Sequence, residues 1–115
     1  MREQFLAWAV AKYYREQGYQ VRMGRIQLDH SEVDGEATRE GERIAIEVKT
    51  PHDDLIRGIG QLAIAAVYGY SKCVLVTTRK NGKRIDKKVF QHYGFECWGV
   101  DGWGKVHNLL SHDEA

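Results

Sequence analysis

The 115-residue chain has an ordinary composition, 43% hydrophobic and 29% charged, which suits one packed core and a single domain spanning 1–115. Its formal net charge of +1 neither demands nor excludes a polyanionic partner, so the arrangement of charge must decide that question. No run reaches the roughly 18 apolar residues of a membrane span, and the start M-R-E-Q-F-L lacks the pattern of a secretory leader; a cytoplasmic protein with no membrane partner is expected.

Residues 2–17 carry Leu6, Ala9, Val10 and Tyr13 at helical spacing and stop before Gly18, which predicts a first helix. Tyr19, Val21, Met23 and Ile26 roughly alternate with polar residues, as in a strand with one wet face. Two extended segments, 32–39 and 43–49, flank Glu40-Gly41-Glu42 and predict a hairpin. In the second, Ile44, Ile46 and Val48 point one way and Ala45, Glu47 and Lys49 the other.

Thr50-Pro51 predicts the start of a second helix, with Asp53 and Asp54 complementing its dipole and Leu55, Ile59, Leu62, Ala63, Ala66, Val67 and Tyr70 facing inward. Arg57, Gln61 and Tyr68 share a neighbouring face of it. Residues 73–78 suit a strand buried on both faces, 82–93 a third helix with Ile85, Val89 and Tyr93 inward, 95–100 another strand, and 105–110 a short edge strand. The tail S-H-D-E-A is expected to fray. The fold class is therefore α/β, a central mixed β-sheet flanked by helices in the order α-β-β-β-α-β-α-β. Cys73 and Cys97 lie in apolar runs and are expected to be reduced core residues.

The hairpin carries the chemistry. Glu47 and Lys49 share a strand face, and Asp34 opens the paired strand. Two carboxylates, with a backbone carbonyl such as that of Val48 and several waters, form a hard-oxygen site for Mg²⁺ (or Mn²⁺). An ammonium group beside it can orient a water or stabilise a phosphate transition state. A bare E-x-K is also what a solvated strand face looks like, so the surrounding elements must decide.

Those elements, with V-D-G-E-A-T-R-E-G-E-R-I-A-I-E-V-K, resemble the PD-(D/E)XK nuclease superfamily, the restriction-endonuclease-like fold, and within it archaeal-type Holliday junction resolvases; the likeness covers roughly residues 3–78. In such families a carboxylate on the first helix, the hairpin aspartate, the E-x-K pair and a glutamine on the next helix form the site. The resemblance places these at Glu3, Asp34, Glu47, Lys49 and Gln61. Val33 stands where the motif's name has proline, and Gly35 follows Asp34 where an apolar residue is usual. Glu36 and Glu32 are alternatives to Asp34 in a register shifted by two.

Arg79, Lys80, Lys83, Arg84, Lys87 and Lys88 gather in R-K-N-G-K-R-I-D-K-K, opposed by Asp86 alone, and suit phosphate contacts without base readout. Arg22, Arg25 and Arg57 are further candidates. The five histidines have no metal-ligand spacing, with His30 and His52 nearest the proposed site, and Trp8, Trp98 and Trp103 are expected as core or interface material. The implied protein is a metal-dependent DNA endonuclease, structure-directed and resolvase-like, acting on DNA that includes branched forms, and a homodimer. The alternatives are another nuclease of this fold (an exonuclease, a nickase, or a viral or defence endonuclease), a non-cleaving DNA-binding module, or a plain interaction domain.

Overall fold

A computed structural model describes residues 2–110. The predicted frayed tail, with His112, lies outside them. Helix α1 (Glu3–Glu16) buries Leu6, Ala9, Val10 and Tyr14 and ends at Gly18, whose φ of +88° suits glycine. Strands β1 (Gln20–Gln27), β2 (Glu32–Arg39) and β3 (Glu42–Val48) then form an antiparallel meander. Arg39 pairs with Glu42, so the β2–β3 turn is only Glu40-Gly41, both at positive φ (50° and 83°) as a type I′ hairpin requires.

Helix α2 (Leu55–Val67) crosses to β4 (Lys72–Thr78), parallel to β3. Two short helices, α3 (Arg79–Gly82) and α4 (Lys87–Tyr93), lead to β5 (Glu96–Val100), parallel to β4, and β6 (Val106–Asn108) closes antiparallel. The strand order β1-β2-β3-β4-β5-β6 follows the chain.

Each face of the sheet has its own apolar layer. Ile44, Ile46, Val74 and Val76 meet Leu6 and Val10 of α1. On the other face Ala45, Leu75 and Cys97 meet Leu62 and Ala65 of α2 and Phe90 of α4. A fully buried side chain of this kind contributes about 1.5–3 kcal/mol. β4 is buried on both faces, which explains its unbroken apolar run. Because β3, β4 and β5 are parallel, their C-terminal ends share one sheet edge, the edge where open α/β sheets place their ligands.

Four local expectations are corrected. The second helix starts at Leu55 rather than at Thr50-Pro51: Asp53 Oδ2 accepts from Thr50 N (2.7 Å) and Oγ1 (3.0 Å), folding 50–53 into a turn, and Asp54 caps the helix at Ile56 N (2.9 Å). Its fully buried residues are Gly58, Leu62 and Ala65; Leu55, Ile59 and Ala63 pack against the core as expected, whereas Ala66 and Val67 are exposed. The third helix is two helices, because Thr78 and Asp86 each cap one start, at Asn81 N and Lys88 N. Phe90 fills the core in place of Tyr93, which is 53% exposed.

Cys73 and Cys97 are buried and unbonded, and burial pushes their thiols up to about 11 and about 12. Among the described residues no helix is long and apolar enough to cross a membrane.

Candidate active site

The β2–β3 ladder runs regularly from Arg39↔Glu42 to Gly35↔Ile46. Beyond that, side chains take over from backbone. Val48 N donates to Asp34 Oδ2 (2.8 Å), and Asp34 N donates to Glu47 Oε1 (3.2 Å). The two carboxylates are thus latched to the ends of each other's strands. Glu36 and Glu32 are engaged elsewhere: Tyr70 Oη donates to Glu36 Oε2 (2.8 Å) and Arg25 pairs with Glu32 (3.6 Å).

The splay originates in β1. Its pairing with β2 passes from Met23↔Gly35 to Ile26↔Val33, so Gly24 and Arg25 together oppose Asp34 in a bulge. Gly24 has φ +117°, a conformation an L side chain rarely adopts. Across the bulge the strands change layers: Met23 and Ala37 belong with the α1 core, Ile26 and Val33 with the α2 core. Gly35 is explained by the same packing, since a Cβ there would strike Met23 Sδ and lie 2.8 Å from Met23 Cε.

Glu47 is 1% exposed and Lys49 12%, with Lys49 Nζ 3.7 Å from Glu47 Oε2. Burial first, then the charge and hydrogen bond of Asp34, raise the Glu47 carboxyl to about 8, against the lowering effect of Lys49. Glu47 Oε2 and Gln61 Oε1 are buried without hydrogen-bond partners among the described residues. Buried orphaned oxygens are costly and call for a donor or a cation.

α2 closes over Lys49 at Gly58, and Gln61, half-buried, lies one turn further along that helix. On the α1 side a cavity of about 120 Å³ is lined by Glu3, Ala7, Met23, Gly24, Arg25, Asp34 and Val48. Glu3, Asp34 and Val48 therefore line one cavity, while Glu47, Lys49 and Gln61 lie on the α2 side. Among the described residues no three His, Cys, Asp or Glu side chains form a ready-made metal cage. The donor set is two carboxylates plus amide and backbone oxygens. Those hard donors fit an ion such as Mg²⁺, which keeps several waters of its own.

Of the sequence-derived phosphate contacts, Arg25 lines the Asp34 cavity and Arg22 pairs with Glu36 (3.8 Å). Arg57 is exposed on α2. The basic cluster divides: Arg79, Lys80 and Lys83 line a cavity of about 460 Å³ with Thr78, Val100, Asp101 and Gly102, whereas Arg84, Lys87 and Lys88 lie exposed beyond it. His30 and His52 are exposed and line neither cavity. Sequence reasoning missed Gly58, whose only signal was a glycine inside an apolar helical stripe; of the two places expected for Trp103, core or interface, its 94% exposure excludes the core.

No protein-family model and no curated protein sequence matches the chain. Solved structures do. An XisH family protein from Nostoc punctiforme is 17% identical with a TM-score of 0.65, covering 90% of this chain and 96% of that one. An fdxN element excision controlling factor from Anabaena variabilis is 15% identical with a TM-score of 0.65, covering 94% and 99%. SfsA from Pyrococcus furiosus, solved in complex with Ca²⁺, is 14% identical with a TM-score of 0.59, covering 92% of this chain and 62% of that one. Likeness at these identities concerns the fold, which is the restriction-endonuclease-like α/β fold.

Proposed function

We propose that this protein is a metal-dependent DNA endonuclease that hydrolyses phosphodiester bonds, structure-directed and resolvase-like in its choice of branched DNA. One observation carries the reading: Asp34 and Glu47 are latched across the β2–β3 splay beside Lys49, with Glu47 Oε2, ion-paired to Lys49, and Gln61 Oε1 both buried without a hydrogen bond. A structural ion pair would have no use for the second orphaned oxygen.

Asp34, Glu47 and the Val48 carbonyl would hold Mg²⁺ or Mn²⁺, with Glu3 lining the cavity that Asp34 and Val48 share. When bound, such an ion supplies an acidified water and Lewis-acid stabilisation of phosphate charge. The chain's own groups do the rest. Lys49, fixed under α2, presents its ammonium to the developing negative charge and orients the attacking water. Gln61 Oε1 accepts a hydrogen bond from that water. Arg25 and the basic cavity at the ends of β4 and β5 hold flanking phosphates.

The Ca²⁺ complex of SfsA supports a hard divalent ion on this fold. A homodimer is part of the proposal: Ile56, Gly60, Ile64 and Val67 make an exposed, largely apolar stripe on α2, away from the site, that a second copy would cover. The test is incubation with Mg²⁺ or Mn²⁺ and linear, single-stranded, flapped and four-way DNA. Metal-dependent cutting that is lost in Glu47→Gln is expected; DNA binding without cutting under every metal would leave a binding module instead.

A further inference from the structure

The most exposed large apolar side chain among the described residues is Trp103, on the turn between β5 and β6. That turn is firmly built. Asp101 Oδ1 accepts from Trp103 N (2.9 Å) and Lys105 N (3.0 Å), Asp101 Oδ2 is 2.9 Å from His107 Nε2, and Gly104 takes φ +84°. A rigid turn that holds an indole in water leaves a large apolar face free to stack on a ligand.

The surroundings of the indole are basic on both sides. Gly102 lines the 460 Å³ cavity with Lys80 and Lys83, and Trp103 itself lines a second cavity, of about 330 Å³, with Lys12 and Lys105. Opposing charges are accounted for: Asp101 is held by its turn and His107, and Glu16 pairs with Lys12 at 3.7 Å. Lys80 and Lys83 make no ion pair among the described residues. An exposed aromatic ring beside unpaired lysines, here Lys80 and Lys83, is an arrangement that grips single-stranded nucleic acid, with bases stacked and phosphates neutralised.

The location links this surface to the proposed site. The C-terminal ends of β3 and β5 share one sheet edge, two strand spacings or roughly 10 Å apart. A single strand crossing from Lys49 toward Gly102 would therefore need to span only a nucleotide or two. We infer that the protein binds DNA carrying an unpaired segment beside a duplex, with an unpaired base stacked on Trp103 and its phosphates held by Lys80 and Lys83. This rests on DNA being the substrate, but not on cleavage.

The test is binding by the wild-type protein in EDTA to a blunt duplex and to the same duplex with an oligothymidine overhang, read by anisotropy and by tryptophan quenching. The overhang is expected to bind about tenfold tighter than the blunt duplex. Trp103→Ala should erase that advantage and the quenching, while Trp103→Phe should retain most of the affinity. Lys80→Ala with Lys83→Ala should weaken both substrates and flatten the salt dependence. Equal affinity for the two duplexes, or an advantage that survives Trp103→Ala, overturns the inference. So does a Trp103→Ala protein that binds DNA normally but loses a protein complex. Overhang preference without metal-dependent cutting would instead overturn the proposed activity and leave this surface standing.

Discussion

The stem of Lys49 runs beneath Gly58: a Cβ on Gly58 would lie 3.0 Å from Lys49 Cε, 3.3 Å from its Cγ and 2.9 Å from Leu75 Cδ1. Glycine in a helix interior costs about 1 kcal/mol relative to alanine. Here it makes room for the ammonium group, so the helix gives up propensity in favour of the site. Gly58→Ala should leave the melting temperature within a few degrees while lowering the cleavage rate by about tenfold or more, since small displacements of a catalytic group are costly. Parallel thermal melts and single-turnover cleavage check this; full activity would show that Lys49 is not positioned by α2.

Asp34→Asn, Glu47→Gln and Lys49→Met should each reduce metal-dependent cleavage by about 10²-fold or more, the scale on which single transition-state contacts act. Glu47→Gln is the cleanest of these. The carboxyl it replaces is already raised to about 8 in the metal-free protein, so a neutral isostere suits the buried position. Circular dichroism should be unchanged, and retained cutting in any of the three would count against the assigned site.

That same raised carboxyl sets a pH dependence. Its ordinary value is 4.5 and its folded value about 8, so between these limits the folded state binds more protons than the unfolded chain. Metal-free stability should therefore fall as pH rises from about 4.5 toward about 8, opposite to the trend of a salt-bridged carboxylate. Urea unfolding in EDTA at pH 5 and pH 7.5 measures it. Glu47→Gln should remove the slope, and Mg²⁺ should restore stability at the higher pH by taking the place of the proton.

Ile56 is 78% and Val67 81% exposed on one side of α2. If a second copy covers them, Ile56→Lys with Val67→Lys should convert a dimer to a monomer in sedimentation velocity, with the fold retained. A wild-type protein that sediments as a monomer at all concentrations would remove the dimer from the proposal.

What was legible in the sequence followed regular periods. β3 could be read from Ile44, Ile46 and Val48 alternating with Glu47 and Lys49, and the hairpin from Glu40-Gly41, because both signals are local. The bulge at Gly24-Arg25 was not legible: a lone glycine in an edge strand looks the same whether or not the partner strand slips by one. The helix starts were misjudged because Asp53, Asp54 and Asp86 suit a first turn, a cap or a local loop equally well, and only the neighbouring N–H groups choose. Tyr93 was expected inward because a single helix was assumed over 82–93; the break at Asp86 rotates the face and brings Phe90 to the core. Asp34 and Glu47 were singled out by the family resemblance together with their placement on the hairpin, whereas their mutual latch required the backbone to part.

The Glu40-Gly41 turn stands at the far end of the strands that carry Asp34 and Glu47, about 20 Å away at the rise of an extended chain. Its two residues are held only by the hairpin geometry, and an L-residue at positive φ there is a small strain that a longer loop would relieve. This corner is accordingly the natural seat for an inserted reporter peptide or a new pair of chain ends. A protein permuted at this point should keep its chemistry, because the end of the sheet that matters would not register the cut.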